Sequence, residues 1–260
     1  MKAVVLVAGY ATRLYPLTKN RAKALLMLGN RCILDYILDQ IIQIPDLSEV
    51  ILISNANFFD SFADWSKTRG DCPVPIRVLN DGTHDDDSKR GAVGDLAFAI
   101  SEAGIDEDIL VIAGDNLFTY RLADVYAAYR ASGRRNLILG QKLPEGEDIH
   151  RFAVAELDEE KRVLSLEEKP ENPKSDMIVY ATYFYGAETL PLVRQYLDEG
   201  GNPDAPGFFP AWLHKRRPVY LYAFEGSCID IGTHASYDRI KALVEKEPAY
   251  LKRFSGRAER

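Results

Sequence analysis

Short apolar runs rich in β-branched residues recur through the first half of the chain with helix-like stretches between them, and this alternation constrains the fold more than any other feature. Residues 2–7, 50–54, 76–79, 109–113 and 136–141 are predicted as strands, several of them apolar on both faces as in a covered sheet. Residues 33–44, 58–68, 92–103 and 122–132 carry helical spacing. Parallel strands need crossover connections, so the pattern predicts a mostly parallel sheet with helices on both faces.

After about residue 142 the texture changes. FAVAELDEEKRVLSLEEKP reads as two strands around an acidic turn, and VYATYFYGAETLPLVRQYLDEGG as a strand followed by a helix. PVYLYAFEG gives a further strand and residues 236–246 a closing helix. Mixed strands after an alternating half predict an antiparallel extension of the main sheet. No linker rich in Gly, Ser or Pro divides the 260 residues and no internal repeat is visible, so a single domain over 1–260 is expected.

Charge limits the partners. With 32 Lys and Arg against 39 Asp and Glu, the net charge of -7 argues against a general affinity for nucleic acid or an anionic membrane surface. A local basic patch for a phosphorylated small molecule is compatible with it. Cys32, Cys72 and Cys228 are odd in number and widely spaced, which fits reduced thiols rather than a disulfide scaffold or a metal site. No run approaches the roughly 18 apolar residues of a membrane span, and KAVVLVAG is too short for a signal peptide. A cytoplasmic location is the expectation. His84, His150, His214 and His234 show no ligand spacing, and the acidic run at 85–87 reads as a solvated loop tip.

The densest chemistry lies in LVAGYATRLYPLTKNRAKALL, residues 6–26, where a strand runs into a small-residue turn and then into Arg13, Lys19, Arg21 and Lys23. Such a turn points backbone N–H groups outward, and Ala8, Gly9 and Ala11 are small enough to let phosphate oxygens reach them. The dinucleotide fingerprint G-x-G-x-x-G is absent, and no G-K-[ST] closes a Walker A loop.

The stretch resembles the signature of the sugar-1-phosphate nucleotidyltransferases, the glucose-1-phosphate thymidylyltransferases among them. That family opens with a strand and L-A-A-G-x-G-T-R-L-x-P-x-T, followed by R-P-K-x-L-L-P; this chain has LVAGYATRLYPLT and RAKALLM. VLNDGTHDDDSKRGAVGDLAFAI, AGDNLF, LEEKP and CIDIGTHASY follow in the family's order. Ala11 stands where the family has its second glycine, and Ala22 and Met27 where it has proline. A methyl at position 11 either narrows the approach to the phosphates or requires negative φ there.

The resemblance implies a Rossmann-like three-layer α/β/α fold with a mixed, mostly parallel sheet. Residues 1–142 would form the nucleotide-binding part, and 143–260 the sugar-phosphate-binding part with the C-terminal helix. The implied reaction joins a sugar 1-phosphate to an NTP by in-line attack on the α-phosphate, giving an NDP-sugar and pyrophosphate. The carried-over roles are catalytic for Arg13 and Lys23, and nucleotide-binding for Ala8, Gly9, Ala11, Thr12, Asn80 and Gly91. Glu168 and Lys169 would hold the sugar phosphate, and Asp115 and Asp230 a Mg2+ ion, which favours a few carboxylates together with phosphate oxygens. Tyr183 and Tyr185 read either as sugar-pocket lining or, as is commoner for alternating tyrosines, as strand packing. Homo-oligomers are common in the family. Two rival readings stay open: transfer to a non-sugar phosphate or phosphonate, and a catalytically silent nucleotide or sugar-phosphate sensor.

Overall fold

The structure, a computed structural model, describes residues 1–133 and 136–255. Along the chain lie β1 (Lys2–Leu6), β2 (Met27–Leu28), β3 (Arg31–Cys32), α1 (Ile33–Ile41), β4 (Glu49–Ser54), α2 (Phe59–Lys67), β5 (Ile76–Asn80), α3 (Ala92–Glu102) and β6 (Ile109–Ala113). They are followed by β7 (Asn116–Phe118), α4 (Leu122–Ser132), β8 (Asn136–Lys142), β9 (Ala153–Leu157), β10 (Val163–Glu168) and β11 (Met177–Tyr185). The last elements are α5 (Leu190–Asp198), α6 (Phe208–Leu213), β12 (Tyr220–Ala223), β13 (Cys228–Asp230) and α7 (His234–Lys246). Every strand and helix predicted from the sequence is present within a few residues of its expected ends. Among the described residues no helix is long and apolar enough to cross a membrane.

The chain packs as two compact units. One gathers Met1–Val4, Arg90–Ile112 and Ala127–Glu225. Its strands run in the order β10-β9-β11-β6-β1, with β8 on β11 and β12 on β8. β11 is antiparallel to β6, β8 and β9, which is the antiparallel extension that the second half of the sequence predicts. Its residues Ile178 and Phe184 are fully buried, as are Ile109, Leu110 and Ile112 of β6.

The other unit gathers Val5–Lys89, Ala113–Tyr126 and the chain from Gly226. Here the end of β1, then β4 and β5, form the sheet, with β4 and β5 parallel from Val50↔Ile76 to Ser54↔Asn80. β4 is buried at every position, as a strand covered on both faces should be.

α1 buries Ile33, Leu34, Ile37 and Ile41 on the 3.6-residue period and begins at a reciprocal cap, the Asp35 carboxylate accepting Cys32 N–H at 3.0 Å. It ends at Ile41 rather than at 44. Gln43 and Ile44 close tighter turns onto Gln40 and Ile41, and Pro45 cannot continue the helix. Asp35 is itself buried, accepting from Trp65 Nε1 at 2.9 Å and pairing with Arg69 at 2.9 Å, so it joins α1 to α2. Asp35→Asn keeps the shape but removes the charge that Cys32 N–H, Trp65 Nε1 and Arg69 meet. It is expected to cost about 2–3 kcal/mol, read in thermal unfolding as a fall in Tm of roughly 5–10 °C.

Candidate active site

The loop after β1 is fixed on both sides by backbone. Val7 N–H donates to Ile53 O at 3.0 Å, and Gly114 N–H to Leu6 O at 3.0 Å. A side chain at Gly114 would strike that of Val7, so only glycine lets the chain leaving β6 pass this close and deliver Asp115 beside the loop. Asn55, fully buried at the end of β4, donates from Nδ2 to Ala8 O at 2.7 Å.

From this seat the loop turns outward. Ala8 is buried, Gly9 is exposed with open space at its Cα, and a single 3-10 turn follows at Thr12–Leu14. Among the described residues the backbone N–H groups of residues 9–13 have no intramolecular partner, whereas Leu14 N–H closes onto Ala11 O at 2.9 Å. Ala11 has φ 49° and ψ 42°, the left-handed conformation. The negative φ that a methyl would prefer is therefore not adopted; the backbone keeps the glycine-like conformation and bears a cost of about 1–2 kcal/mol for it. Thr18, buried, donates from Oγ1 to Ala11 O at 2.8 Å and helps to hold it. A left-handed residue followed by a right-handed turn concentrates N–H groups into an anion-binding concavity.

Four charged side chains come from this loop or from segments that follow it in the same unit. Asp115 follows β6, and β7 and β13 pair antiparallel in the register Asn116↔Asp230, Leu117↔Ile229 and Phe118↔Cys228. Ile231 N–H donates to Asp115 O at 3.2 Å, so the short ribbon brings Asp115 and Asp230 side by side. Lys23 forms an ion pair with Asp115. Burial alone would lower the Lys23 pKa; the carboxylates of Asp115 and Asp230 more than reverse this, and nearby Arg13 works against them. Lys23 therefore stays protonated throughout the neutral range. Arg13 is exposed and has no ion-pair partner among the described residues.

Asp115 and Asp230 thus both act on the Lys23 ammonium. The same two groups raise the Cys228 thiol, whose burial is the larger cause. Among the described residues no cluster of three or more His, Cys, Asp or Glu side chains exists. Two carboxylates are a donor set of the kind that magnesium takes, one or two carboxylates with phosphate and water completing its shell.

The remaining candidates are placed as follows. Asn80 ends β5 and accepts Gly82 N–H through Oδ1 at 2.9 Å, so its carbonyl oxygen is committed to the turn. Gly91 precedes α3 at φ 76°, packed against the Pro203 carbonyl. The first N–H groups of α3, on Ala92 and Val93, bond to Asp204 O at 3.1 Å and Pro203 O at 2.9 Å, so this helix end is already capped. Glu168 closes β10, and Lys169 turns left-handed at φ 48° with its ammonium 3.8 Å from the Glu168 carboxylate. Burial raises the Glu168 pKa, partly opposed by Lys169. Its carboxylate lies on the Cα of Gly207, where a methyl would collide with it. Tyr183 and Tyr185 are buried and stack with centroids 5.8 Å apart, Tyr185 also meeting Phe209 edge-on at 5.4 Å.

Sequence reasoning missed three of these features: Gly207, the β7–β13 ribbon, and a bond from Tyr10 to Thr83 at 2.9 Å. None has a local signature, because each partner comes from a distant segment.

An outward-turning amide loop after β1, the cations Arg13 and Lys23 and the carboxylates Asp115 and Asp230 thus belong to one unit of an α/β protein. The chain belongs to the nucleotidyl transferase family, whose profile matches residues 2–247. It is 29% identical to a glucose-1-phosphate thymidylyltransferase of Neisseria meningitidis, the match covering 94% of this chain and 83% of that one. A glucose-1-phosphate thymidylyltransferase of Streptomyces antibioticus is 33% identical over 75% of this chain and 52% of its own. The chain thus spans about half the length of that relative, and 65% and 62% of two others. Among solved structures, a candidate glucose-1-phosphate thymidylyltransferase of Bacillus anthracis in complex with a sucrose superposes with a TM-score of 0.78 at 25% identity, covering 94% of both chains. The fold is accordingly the mixed-sheet α/β fold of the nucleotide-diphospho-sugar transferase type that the motifs implied.

Proposed function

We propose that the protein is an NDP-sugar pyrophosphorylase, transferring a nucleotidyl group from an NTP to a sugar 1-phosphate with release of pyrophosphate. The observation that carries this reading is the run of unpartnered N–H groups at residues 9–13 beside Lys23, Asp115 and Asp230. In the reaction a sugar phosphate oxygen attacks the α-phosphorus, forming the new P–O bond as the bond between the α-phosphorus and the bridging oxygen breaks and pyrophosphate leaves. Two anions must meet, so the protein's task is to suppress repulsion and align them.

In this reading Ala8, Gly9, Ala11 and Thr12 present backbone to the triphosphate, Arg13 takes charge building on the pyrophosphate, and Lys23 faces the reacting phosphates. Asp115 and Asp230 would hold Mg2+, which supplies charge neutralisation at the α-phosphate. Asn80, through its amide, and the backbone of Gly91 remain the proposed base contacts. Glu168 and Lys169 are assigned to the sugar hydroxyls and the sugar phosphate. Three free cysteines support a reducing, cytoplasmic setting. Relatives named as thymidylyl-, guanylyl-, uridylyl- and adenylyltransferases share a sugar 1-phosphate partner and differ in base, which favours a sugar acceptor over a non-sugar one.

Gly207 gives a separate check on Glu168. Gly207→Ala is expected to push the carboxylate aside and raise KM for the sugar phosphate about ten- to a hundredfold, leaving KM for NTP unchanged. The assignment as a whole is tested by incubating the protein and Mg2+ with each NTP against a panel of sugar 1-phosphates and non-sugar phosphates, with products read by mass. An NDP-sugar is the expected product. Turnover only with non-sugar phosphates, or with none of them, overturns it.

A further inference from the structure

The left-handed backbone at Ala11 needs something to hold it, since a residue with a Cβ avoids that region when free. Two of its supports, Thr18 Oγ1 and Leu14 N–H, both act on the Ala11 carbonyl from its C-terminal side. On the N-terminal side stands Tyr10, whose side chain is 6% exposed although it lies between exposed Gly9 and half-exposed Ala11 in an outward-turning loop.

Its phenol reaches Thr83 Oγ1 at 2.9 Å. The Thr83 hydroxyl lies 2.8 and 3.0 Å from the two Asp81 carboxylate oxygens, and Thr83 N–H donates to Asp81 Oδ1 at 2.7 Å. A hydroxyl has one proton, and a carboxylate can only accept it, so Thr83 donates to Asp81 and the phenol must donate to Thr83. Asp81 is 2% exposed and Thr83 6%. Thr83 O in turn accepts Ala56 N–H at 2.9 Å, next to Asn55, which holds Ala8 O. The residues on either side of Gly9 are thus tied to buried polar groups at the exits of β4 and β5. Among the described residues the amides of residues 9–13 stay unpartnered beside these two ties.

We infer that Tyr10 is a positioning residue for the triphosphate: through Thr83 and Asp81 its phenol holds the phosphate loop in the conformation that a side chain at position 11 would otherwise disfavour. The inference rests on the reading of this loop as the triphosphate seat. It assigns to a side chain the support of a conformation that a glycine at position 11 would enter without steric cost.

The experiment is a double-mutant cycle read in NTP affinity, by calorimetry on the full chain with each NTP and Mg2+, together with KM and kcat. Tyr10→Phe removes only the hydroxyl and leaves Thr83 bonded to Asp81. Affinity is expected to fall about five- to tenfold, with KM for NTP rising in step and KM for the sugar phosphate unchanged. In the Ala11→Gly background the same change is expected to cost less than twofold, because glycine adopts the left-handed region unaided. Tyr36→Phe serves as the stability control, since Tyr36 loses an equivalent buried bond, to Leu28 O at 3.0 Å, away from the loop. Unchanged NTP affinity in Tyr10→Phe, an equal loss in both backgrounds, or an equal loss in Tyr36→Phe overturns the inference. A wild-type chain that binds no NTP overturns the loop reading beneath it, and is told apart by that result.

Discussion

Asp115→Asn is expected to lower kcat by about two to three orders of magnitude while the protein stays folded. The carboxamide fills the same space and retains one acceptor oxygen, but it removes the charge that both Lys23 and a divalent cation would meet. Lys23 and Asp115 are 17% and 26% exposed, so water softens the loss of their pair and the stability cost stays near about 1–2 kcal/mol. Asp230→Asn is expected to match it. If the two carboxylates hold one cation, the double variant loses little more than the worse single one, since removing either partner already disables the unit. Pyrophosphate release measured against Mg2+ concentration decides the matter. Wild-type kcat at saturating Mg2+ in either variant would remove that residue from the mechanism.

Arg13→Ala is expected to cost about 2–4 kcal/mol of transition-state stabilisation, or roughly 30- to 1,000-fold in kcat/KM, mostly in kcat. Arg13 is exposed and forms no ion pair among the described residues, so its removal breaks no buried contact and Tm should hardly move. Its planar fork suits the departing pyrophosphate, whose charge grows as the bond breaks. A rise in KM for NTP with kcat unchanged would reassign Arg13 to holding substrate alone.

The sequence was most informative where its signal is local. β6 and α4 fall at the predicted ends, because a run such as ILVIA and an uninterrupted helical spacing are complete within their own windows. α6, with sequence FFPAWL, was not predicted, since Pro210 resembles a breaker; as the third residue of the helix it occupies the first turn, where its missing N–H costs nothing. β7 and β13 have three residues each and no periodicity to detect; they exist because they pair with each other.

Within the site the same division holds. Arg13, Lys23, Asp115 and Asp230 stand in recognisable motifs, and in the structure Lys23 pairs with Asp115 and feels Asp230 and Arg13. Asn80 shows the reverse, since its carbonyl oxygen is taken by a turn that composition did not reveal. At Ala11 the sequence left two outcomes open, and bonds from Thr18 and Leu14, together with the Tyr10 tie, accompany the strained one.

The β7–β13 ribbon also sets an order on synthesis. The first acidic partner leaves the ribosome long before the second, and a chain halted anywhere before Cys228 has no strand with which to zip β7 into place. Under the proposed function, a nascent chain would stay inactive until Asp230 arrives.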